Sequence, residues 1–448
     1  MSRVAETQPA DDGTGAFDPV AVVDLEVTGA PPTPVAGALL GLVRVHGTPV
    51  GQVRLPSGGD GEQLRAAAVA GCADTVRAHL VADGLEVADL AGADLVAAVA
   101  ASTGPCASRP QPPDLGVSVV VCTLGSDPRL TTAVRSVLDQ SSPARQVVVV
   151  DNDPVSGGVR RLLADVDDAR LTVVDEPRRG LSSARNAGLR VATGEVVAFT
   201  DDDALADPDW LLWLTATFAE PEVVCATGLV LPASITTRAQ AWFEEFGAFD
   251  KGFEPLRWDL EHRGVGVGGT VRAVDGGALF PYAAGVFGSG NNMAFRAAWL
   301  RTQPGVFDEA LGAGTPSRGG EDLDAFLAVM LSGGVLAYEP RALVRHHARS
   351  TVDELRRQMF GYGSGMSAVI TKNLVARPGA VLRRVPAGLR RLLDPGSAKN
   401  SDRSATYPRT LVLDELRGYV AGPALLARGR FRERRGSRAG AGVRAARD

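Results

Sequence analysis

The sequence predicts an α/β protein whose main domain contains a mostly parallel sheet flanked by helices. Three observations lead to this prediction: short apolar runs recur, the stretches between them have helical spacing, and polar residues follow the ends of the runs. Strands that alternate with helices in this way form parallel sheets with helices on both faces. In such sheets ligands bind beside the carboxyl ends of the strands, so we expect the functional site there.

The elements of this sheet can be followed in order from residue 114. Each apolar run has the length and the β-branched composition of a strand that is buried on both faces. The pattern predicts a strand at 117–122, a helix at 130–140, strands at 147–150 and 171–174, a helix at 182–192 and a strand at 196–199. No Gly-x-Gly-x-x-Gly or Walker-type loop follows the first strand, which disfavours a dinucleotide or P-loop site.

Residues 1–113, which precede the main domain at 114–350, predict a polar leader and a small α/β domain of unknown role. This segment has two strand-like stretches and a helix-like stretch from about 62 to 82, and it ends in a proline-rich connector. We interpret His46 and His79 as packing or surface residues, because each stands alone in apolar surroundings. The four cysteines of the chain form no Cys-x-x-Cys pair, which favours reduced, structural thiols over a zinc ribbon.

Residues 351–448 predict a helical extension that follows the main domain. The glycine-rich residues 361–365 predict a break in its first helix, and we expect the arginine-rich residues 428–448 to form a disordered basic tail. Apolar residues that alternate with arginines are compatible with peripheral contact to an anionic membrane, although packing against the main domain is the commoner meaning. No nucleic-acid partner is expected, because no aromatic platform accompanies the basic residues.

Length and charge set the limits for this organisation. The chain has 448 residues, a formal net charge of −5 and 45% hydrophobic residues, and no apolar stretch is long enough to span a bilayer. The first residues lack the apolar core of a secretory signal. We therefore expect a cytoplasmic protein, with a peripheral position on the inner face of the membrane as an alternative. The oligomeric state is not predicted.

Three consecutive carboxylates, Asp201, Asp202 and Asp203, follow the strand predicted at 196–199. Adjacent like charges repel one another, so a cation or several hydrogen-bond donors must neutralise them. Residues i and i+2 leaving a strand point the same way, and carboxylates suit Mg²⁺ or Mn²⁺. A solvated acidic turn, or the start of the helix predicted from 207–210, is the alternative meaning. The neighbouring motifs distinguish a metal site from an acidic turn or helix start.

Six motifs occur in the order that is typical of the family 2 glycosyltransferases of GT-A fold, and the region from 115 to 349 resembles that family. The motifs are Val-Ser-Val-Val-Val-Cys-Thr (117–123), Val-Val-Asp-Asn (149–152), Gly-Leu-Ser-Ser-Ala-Arg-Asn-Ala-Gly (180–188), Gly-Glu-Val-Val-Ala-Phe-Thr-Asp-Asp-Asp (194–203), Gly-Ser-Gly-Asn-Asn-Met-Ala-Phe-Arg (288–296) and Gly-Gly-Glu-Asp-Leu-Asp (319–324). The resemblance implies a nucleotide-sugar donor, whose base (uracil, guanine or thymine) is not resolved.

The resemblance implies roles for the residues around the donor. Thr123, Asp151 and Asn152 correspond to positions that hold the base, although many members have Asp where this chain has Asn152. Arg185 corresponds to a position near the diphosphate, but its guanidinium could instead anchor a helix to nearby carboxylates. Asp201 would approach the ribose and the metal.

Asp203 would coordinate the Mn²⁺ or Mg²⁺ ion, and the role of Asp202 within the nucleotide site stays open. His346 matches a histidine that completes the metal site in related enzymes. Asp322 corresponds to the general base that accepts the proton of the acceptor hydroxyl, which gives inversion at the sugar carbon. Glu321 would orient the loop or the acceptor. The alternative is that both acids merely start a helix.

Four further residues are predicted to contact substrate. Asn291, Asn292 and Arg296 lie in or next to the glycine-rich motif, from which they could reach the donor sugar or the acceptor. Trp242 belongs to the main aromatic cluster of the chain, where an aromatic face suits a sugar ring and ordinary core packing is equally compatible.

These residues together predict an inverting, metal-dependent glycosyltransferase that acts on a hydroxyl acceptor, such as a cell-envelope glycan, a lipid-linked sugar or a secondary metabolite. Two other classes stay open. An Asp-x-Asp phosphatase or phosphotransferase would use a nucleophilic aspartate, although the threonine usual two residues later is Leu205 here. A non-catalytic carbohydrate-binding protein would not require Asp322.

Overall fold

The computed structural model describes residues 17–444, apart from residues 105, 108, 112, 248, 267–276, 304, 385, 389 and 391–406. The chain divides into two compact units. The N-terminal unit contains residues 1–111, 232–248 and 347–355, and the large unit contains residues 112–231, 249–346 and 356–448. The predicted C-terminal extension thus joins the large unit from Arg356 onward. The polar leader predicted at the start of the chain lies outside the described residues.

The secondary structure consists of short strands and helices that alternate through both units. The strands are β1 (Ala21–Glu26), β2 (Leu39–Val45), β3 (Thr48–Leu55), β4 (Val117–Thr123), β5 (Gln146–Asp151), β6 (Leu171–Asp175), β7 (Val196–Asp201), β8 (Ala204–Ala206), β9 (Val223–Pro232), β10 (Leu256–Trp258), β11 (Arg263–Gly266), β12 (Asn292–Arg296) and β13 (Val335–His346). The helices are α1 (Gly61–Gly71), α2 (Ala73–Ala82), α3 (Gly92–Ala101), α4 (Leu130–Leu138), α5 (Gly158–Leu162), α6 (Leu181–Val191), α7 (Trp210–Ala216), α8 (Arg238–Glu245), α9 (Ala297–Thr302), α10 (Glu321–Leu331), α11 (Val352–Ala376), α12 (Pro378–Leu382) and α13 (Arg409–Arg444).

The N-terminal unit contains a three-stranded sheet covered by helices. β2 is the middle strand, parallel to β1 and antiparallel to β3. The apolar faces of these strands and of α1, α2 and α3 form one core, which includes Leu25, Val43, Leu64 and Val76. The helix predicted at 62–82 is divided into α1 and α2 at Cys72, which ends the first helix and precedes the second. The described residues of this unit therefore combine strands and helices around one core.

The large unit is built on a sheet with the strand order β11-β10-β13-β9-β12-β7-β4-β5-β6, and β8 pairs with β13 beside this path. The four strands predicted from the apolar runs, β4 to β7, are parallel to one another. β12 is antiparallel to both β7 and β9, and β10 is antiparallel to β13. The α/β fold is confirmed, and antiparallel strands extend the parallel half of its sheet. Valine and alanine side chains of β4, β5 and β7 pack with α4 and α7 in a continuous core.

One short strand pairing fixes the end of β13 beside the end of β7. β8 begins directly after the acidic triplet and runs antiparallel to the end of β13, with Ala204 opposite His346 and Ala206 opposite Val344. The backbone register therefore places His346 next to Asp203, although 143 residues separate them in the sequence. This pairing positions a histidine at the edge where the parallel strands end.

The glycine-rich break predicted at 361–365 is wrong, because α11 continues through it as one helix. Glycines on α11 and α13 allow the backbones of the two helices to approach each other closely. A Cβ atom on Gly363 would lie 2.0 Å from the carbonyl oxygen of Glu415 on α13, and a Cβ atom on Gly418 would lie 2.2 Å from the carbonyl oxygen of Phe360. Small residues here serve the packing of α11 against α13, which outweighs their poor helix propensity. Helix α13 also extends through most of the basic segment predicted to be disordered, as far as Arg444.

The apolar residues and arginines that alternate at 382–393 are the segment expected to contact a membrane. Residues 385, 389 and 391–393 of this segment lie outside the described residues. Among the residues that the structure describes, no helix combines the length and the apolar character needed to cross a bilayer.

Candidate active site

Several of the polar residues predicted to form the site meet at the carboxyl edge of the parallel strands. The register pairs Thr123 at the end of β4 with Asp151 at the end of β5, and Cys122 with Asp201 at the end of β7. This arrangement follows from the fold, because parallel strands of similar length present the same ends to one edge. The geometry gathers side chains from three strands of the sheet.

Asp201, Asp203 and His346 form a compact cluster at this edge. Each offers one ligand atom, and these atoms lie within 4.8 Å of one another. His346 Nε2 lies 3.3 Å from Asp203 Oδ1, and both side chains are buried. The ring of Phe249 packs edge-on against the His346 ring at a centroid distance of 5.5 Å. Two carboxylates and an imidazole at this spacing fit a divalent cation such as Mn²⁺, which accepts oxygen and nitrogen ligands.

The charges of the acidic triplet are costly in this environment. Burial raises the pKa of Asp201, and the Asp203 carboxylate adds to the increase, whereas Arg185 opposes it. Burial raises the pKa of Asp202 to about 7, although a hydrogen bond donated by the Thr123 hydroxyl favours its charged form. Thr123 thus contacts the triplet directly. The raised pKa values of Asp201 and Asp202 indicate that a nearby positive charge would favour the ionised form of both carboxyl groups.

Asp151 and Asn152, at the end of β5, differ sharply in how their side chains are used. Asp151 is completely buried; its Oδ1 accepts a hydrogen bond from the Asp153 N–H at 2.9 Å, while its Oδ2 has no hydrogen-bond partner among the described residues. Asn152 donates to the carbonyl oxygens of Glu176 and Arg178 at 2.7 Å and accepts from the Gly180 N–H at 2.9 Å. Asp151 Oδ2 is therefore an unsatisfied acceptor, whereas Asn152 holds the loop before α6.

Arg185 on α6 is buried among carboxylates and aromatic rings. Its Nη1 donates to Glu321 Oε1 at 2.8 Å and its Nη2 to the carbonyl oxygen of Gly290 at 3.0 Å, and Nη2 lies 3.8 Å from Asp201 Oδ1. The guanidinium carbon also lies 5.5 Å from the centroid of the Phe307 ring. This is the anchoring role that the sequence left open, because the guanidinium joins α6 to the start of α10.

Glu321 and Asp322 begin α10, and both carboxylates are held in place. Burial and the neighbouring Asp322 raise the pKa of Glu321, while the ion pair with Arg185 acts in the opposite direction. Asp322 Oδ2 accepts a hydrogen bond from the Gly290 N–H at 2.9 Å, and its Oδ1 accepts one from the Leu323 N–H at 2.8 Å. These two backbone donors fix the orientation of the Asp322 carboxylate.

The glycine-rich segment before β12 contributes one buried acceptor to this edge. Asn291 is 3% exposed, and its Oδ1 has no hydrogen-bond partner among the described residues. Thr200, in β7 directly before the acidic triplet, has a buried hydroxyl that is likewise unpartnered within the described chain. Thr200 is not among the site residues that the sequence predicts. Its position in the strand next to Asp201 was the available signal.

Asn292, Arg296 and Trp242 were also predicted to contact substrate, and the structure gives them other surroundings. Asn292 accepts from Trp210 Nε1 and donates to the carbonyl oxygens of Leu229 and Ala342 at 2.7 to 2.9 Å. Trp242 is 7% exposed on α8, which belongs to the N-terminal unit. Both side chains have the environment of structural residues.

Arg296 lies at the far end of β12. The register pairs Asn292 with Thr200 and Arg296 with Val196, so Arg296 is about 14 Å along the strand from the carboxyl edge of the parallel strands. Its guanidinium donates to the carbonyl oxygens of Phe218, Glu220 and Val223 at 2.7 to 2.8 Å. The structure does not bring Arg296 to the site.

Both the sequence and the fold are similar to those of known proteins. Residues 118–275 match the family model "Glycosyl transferase family 2", which spans β4 to β11 and includes the acidic triplet. This region of the chain is a family 2 glycosyltransferase domain. The predicted family is confirmed, and the described sheet, with its acidic triplet at the end of a parallel strand, is the fold expected of that family.

Named relatives of the glycosyltransferase domain include archaeal and bacterial proteins. A glucosyl-dolichyl phosphate glucuronosyltransferase from Haloferax volcanii is 38% identical over 146 residues, which are 31% of this chain and 46% of the relative. A pre-mycofactocin glycosyltransferase from Mycobacterium tuberculosis is 26% identical over 281 residues, which are 55% of this chain and 53% of the relative. The chain thus spans about half the length of these curated relatives.

Among solved structures, a mannosyltransferase from Pyrobaculum calidifontis in complex with GDP-Man and Mn²⁺ aligns with 70% of this chain and 89% of its own. The TM-score is 0.42 and the sequence identity is 18%.

Proposed function

We propose that this protein is an inverting, divalent-metal-dependent glycosyltransferase that moves a sugar from a nucleoside diphosphate to a hydroxyl acceptor. The observation that carries the proposal is the cluster of Asp201, Asp203 and His346 at the strand edge of a family 2 glycosyltransferase domain. Asp201, Asp203 and His346 would hold the ion. When bound, the ion would neutralise the charge of the diphosphate and stabilise the charge that develops as it departs.

The unpartnered buried acceptors support a donor site beside this cluster. A buried carboxylate oxygen without a partner costs about 1–3 kcal/mol, so its persistence favours a ligand that donates to it. Asp151 Oδ2 is such an atom, and uracil, guanine and thymine all carry ring N–H groups. Asn291 Oδ1 and Thr200 Oγ1 offer further unsatisfied polar atoms for donor hydroxyls. The base and the sugar are not assigned.

Asp322 is the residue that we propose as general base. The acceptor oxygen forms a bond to the anomeric carbon, the bond from that carbon to the diphosphate oxygen breaks, and Asp322 takes the hydroxyl proton. The two backbone N–H groups that bind the Asp322 carboxylate hold it in one orientation and leave each oxygen a second lone pair. Attack from the face opposite the leaving diphosphate inverts the sugar carbon.

The acceptor is proposed as a hydroxyl of a lipid-linked sugar or of a small metabolite, as the names of the relatives suggest. The Haloferax relative is named for transfer to a glucosyl-dolichyl phosphate and the mycobacterial relatives for a mycofactocin precursor. Peripheral contact of the basic C-terminal helix with a membrane would suit the lipid-linked class. A cytoplasmic location remains a proposal based on the sequence.

The test uses the full chain with UDP-, GDP- and dTDP-sugars in Mn²⁺ or Mg²⁺, and measures nucleoside diphosphate release and the anomeric configuration of the product. We expect one donor to be turned over with inversion, and Asp322→Asn to reduce turnover strongly. Asp324→Asn is the matched control, because Asp324 lies on the same helix and pairs with Lys372 at 2.6 Å instead. A phosphorylated aspartate in place of sugar transfer would favour the phosphotransferase alternative. Sugar binding unaffected by Asp322→Asn and without turnover would favour a binding protein.

A further inference from the structure

A second cluster of metal-ligating side chains lies in the N-terminal unit, outside the glycosyltransferase domain. His46 Nδ1 lies 2.8 Å and His79 Nε2 lies 3.1 Å from the same oxygen, Asp83 Oδ2. Each of the three residues offers a ligand atom, and these atoms lie within 4.8 Å of one another. Cys106 Sγ lies 3.6 Å from His79 Nε2. The side chains of His46, His79 and Asp83 are 4%, 7% and 3% exposed, so the cluster is buried.

We propose that this cluster binds a structural zinc ion, with His46 Nδ1, His79 Nε2, Asp83 Oδ2 and Cys106 Sγ as ligands. Zinc in structural sites takes four nitrogen, sulfur or oxygen ligands in a tetrahedron. Bond lengths of about 2.0 Å to nitrogen and 2.3 Å to sulfur place those two ligand atoms about 3.6 Å apart. The observed separation of His79 Nε2 and Cys106 Sγ matches this value. The nitrogen and oxygen atoms need to separate by a few tenths of an ångström, and Cys106 Sγ, which lies outside the 4.8 Å cluster of the other three ligand atoms, needs to move toward them.

Three separate parts of the unit supply these ligands. His46 lies in the two-residue turn between β2 and β3, and His79 and Asp83 lie one helical turn apart on α2 and at its C-cap. Cys106 follows α3. His46 has a φ of 51°, a left-handed conformation that is uncommon for residues other than glycine. Gly47, the other residue of the turn, has a φ of 78°, and two-residue hairpin turns of this kind require a positive φ at both central residues.

Outer hydrogen bonds orient the ligand atoms in the manner of known zinc sites. His46 Nε2 lies 2.8 Å from the Ser102 hydroxyl, which leaves Nδ1 facing Asp83. Asp83 Oδ1 accepts from the Ala107 N–H at 2.8 Å, and the Thr48 hydroxyl donates to Cys106 Sγ at 3.5 Å. Partners that hold the second nitrogen or oxygen of a ligand fix its tautomer and orientation.

A hydrogen-bonded Asp83 between two histidines, without an ion, is the competing explanation. It accounts for the short contacts of both imidazoles with the carboxylate. It leaves the Cys106 thiol with weak hydrogen bonds to Thr48 and His79, because a thiol is a weak hydrogen-bond donor and acceptor. A zinc ion gives all four side chains a function, and it also explains why histidines that are 33 positions apart converge on one oxygen.

The first test measures the metal content of the full chain by inductively coupled plasma mass spectrometry after tag removal and purification without chelator. We expect about one zinc per chain, falling at least tenfold when His79→Ala and Cys106→Ala are combined. Cys72→Ala is the control for loss of a buried thiol in the same unit. His262→Asn is the control for loss of an exposed histidine in the large unit. Asp203→Asn should keep the zinc, since it changes only the catalytic cluster.

The second test uses the unmodified chain, so it does not depend on folding of a variant. Replacement of the metal by Co²⁺ should give the intense visible bands of tetrahedral cobalt and a near-ultraviolet thiolate-to-cobalt charge-transfer band. A chain that takes up no zinc or cobalt in stoichiometric amount would overturn the proposal. So would zinc that the double variant retains, or a cobalt spectrum without the thiolate band, which would remove Cys106 from the ligand set.

Discussion

The two ends of the parallel strands in the large unit differ in whether their buried polar atoms have hydrogen-bond partners. At the amino end, the Ser118 hydroxyl donates to Gln146 Oε1 and accepts from the N–H groups of Thr193 and Gly194 at 2.9 to 3.1 Å. At the carboxyl end, Asp151 Oδ2, Thr200 Oγ1 and Asn291 Oδ1 are buried without partners in the described chain.

The difference separates architecture from function within one sheet. Satisfied hydrogen bonds at the amino end stabilise the fold, because each removes a desolvation cost. Unsatisfied atoms and crowded carboxylates at the carboxyl end reduce stability and are retained at binding sites. Substitutions at the carboxyl end should therefore reduce activity, and substitutions at the amino end should reduce stability.

Asp322→Asn should produce the largest effect, a loss of about 10³-fold in turnover at unchanged donor affinity. The physical reason is that the amide cannot accept the acceptor proton, and general bases contribute about 10²–10⁴-fold. The measurement is kcat from nucleoside diphosphate release. Turnover within a few-fold of wild type would remove Asp322 from the catalytic role, whatever the effect on binding.

Arg296→Ala should mainly affect stability, with a cost of about 3 kcal/mol to the large unit. The substitution leaves three carbonyl oxygens without their charged donor and removes the contact with the Phe218 ring. Urea unfolding measures the change. The control is Arg160→Ala, an exposed arginine paired with Asp175, for which we expect less than about 0.5 kcal/mol. If Arg296→Ala lost turnover per folded molecule but kept its stability, the separation of the two ends would fail.

Some of these features can be read from the sequence, and others depend on the folded chain. The continuous apolar runs of β4, β5 and β7 predict buried parallel strands, so the positions of Thr123 and Asp151 follow from local pattern alone. The partner of Arg185 does not, because Glu321 lies 136 residues away and reaches it only through the packing of α6 against α10. The zinc-type cluster was missed for the same reason. His46 and Asp83 are 37 residues apart, and a turn and a helix have to fold before they meet.

Asp151→Asn should weaken binding of the preferred nucleoside diphosphate by about tenfold and leave stability nearly unchanged. The variant replaces the acceptor Oδ2 with an amide group that can donate. A buried donor or acceptor that loses its hydrogen-bond partner costs about 1–3 kcal/mol. Isothermal titration calorimetry measures the affinity. Asn152→Asp is a comparison variant at the neighbouring position, because the Asn152 side chain binds the backbone of the loop before α6. Equal affinity in Asp151→Asn and wild type would place the base elsewhere.

Ser118→Ala should have the smallest effect, a loss of about 1 kcal/mol in the free energy of unfolding without a change in kcat. Its hydroxyl serves only hydrogen bonds at the amino end of β4, and a typical buried hydrogen bond contributes about that amount. Thermal unfolding with a parallel activity assay checks both quantities. A clear fall in kcat would show that the amino end also affects catalysis.

The central claim is that Asp201, Asp203 and His346 bind the metal that holds a nucleotide donor, and calorimetric titration of UDP, GDP and dTDP with and without Mn²⁺ tests it most directly. We predict that one of the three nucleotides binds at least about tenfold more tightly with Mn²⁺. Asp203→Asn should abolish that dependence and Asp322→Asn should preserve it. Binding that is independent of Mn²⁺ for every nucleotide, or unchanged Mn²⁺ dependence in Asp203→Asn, would contradict the account.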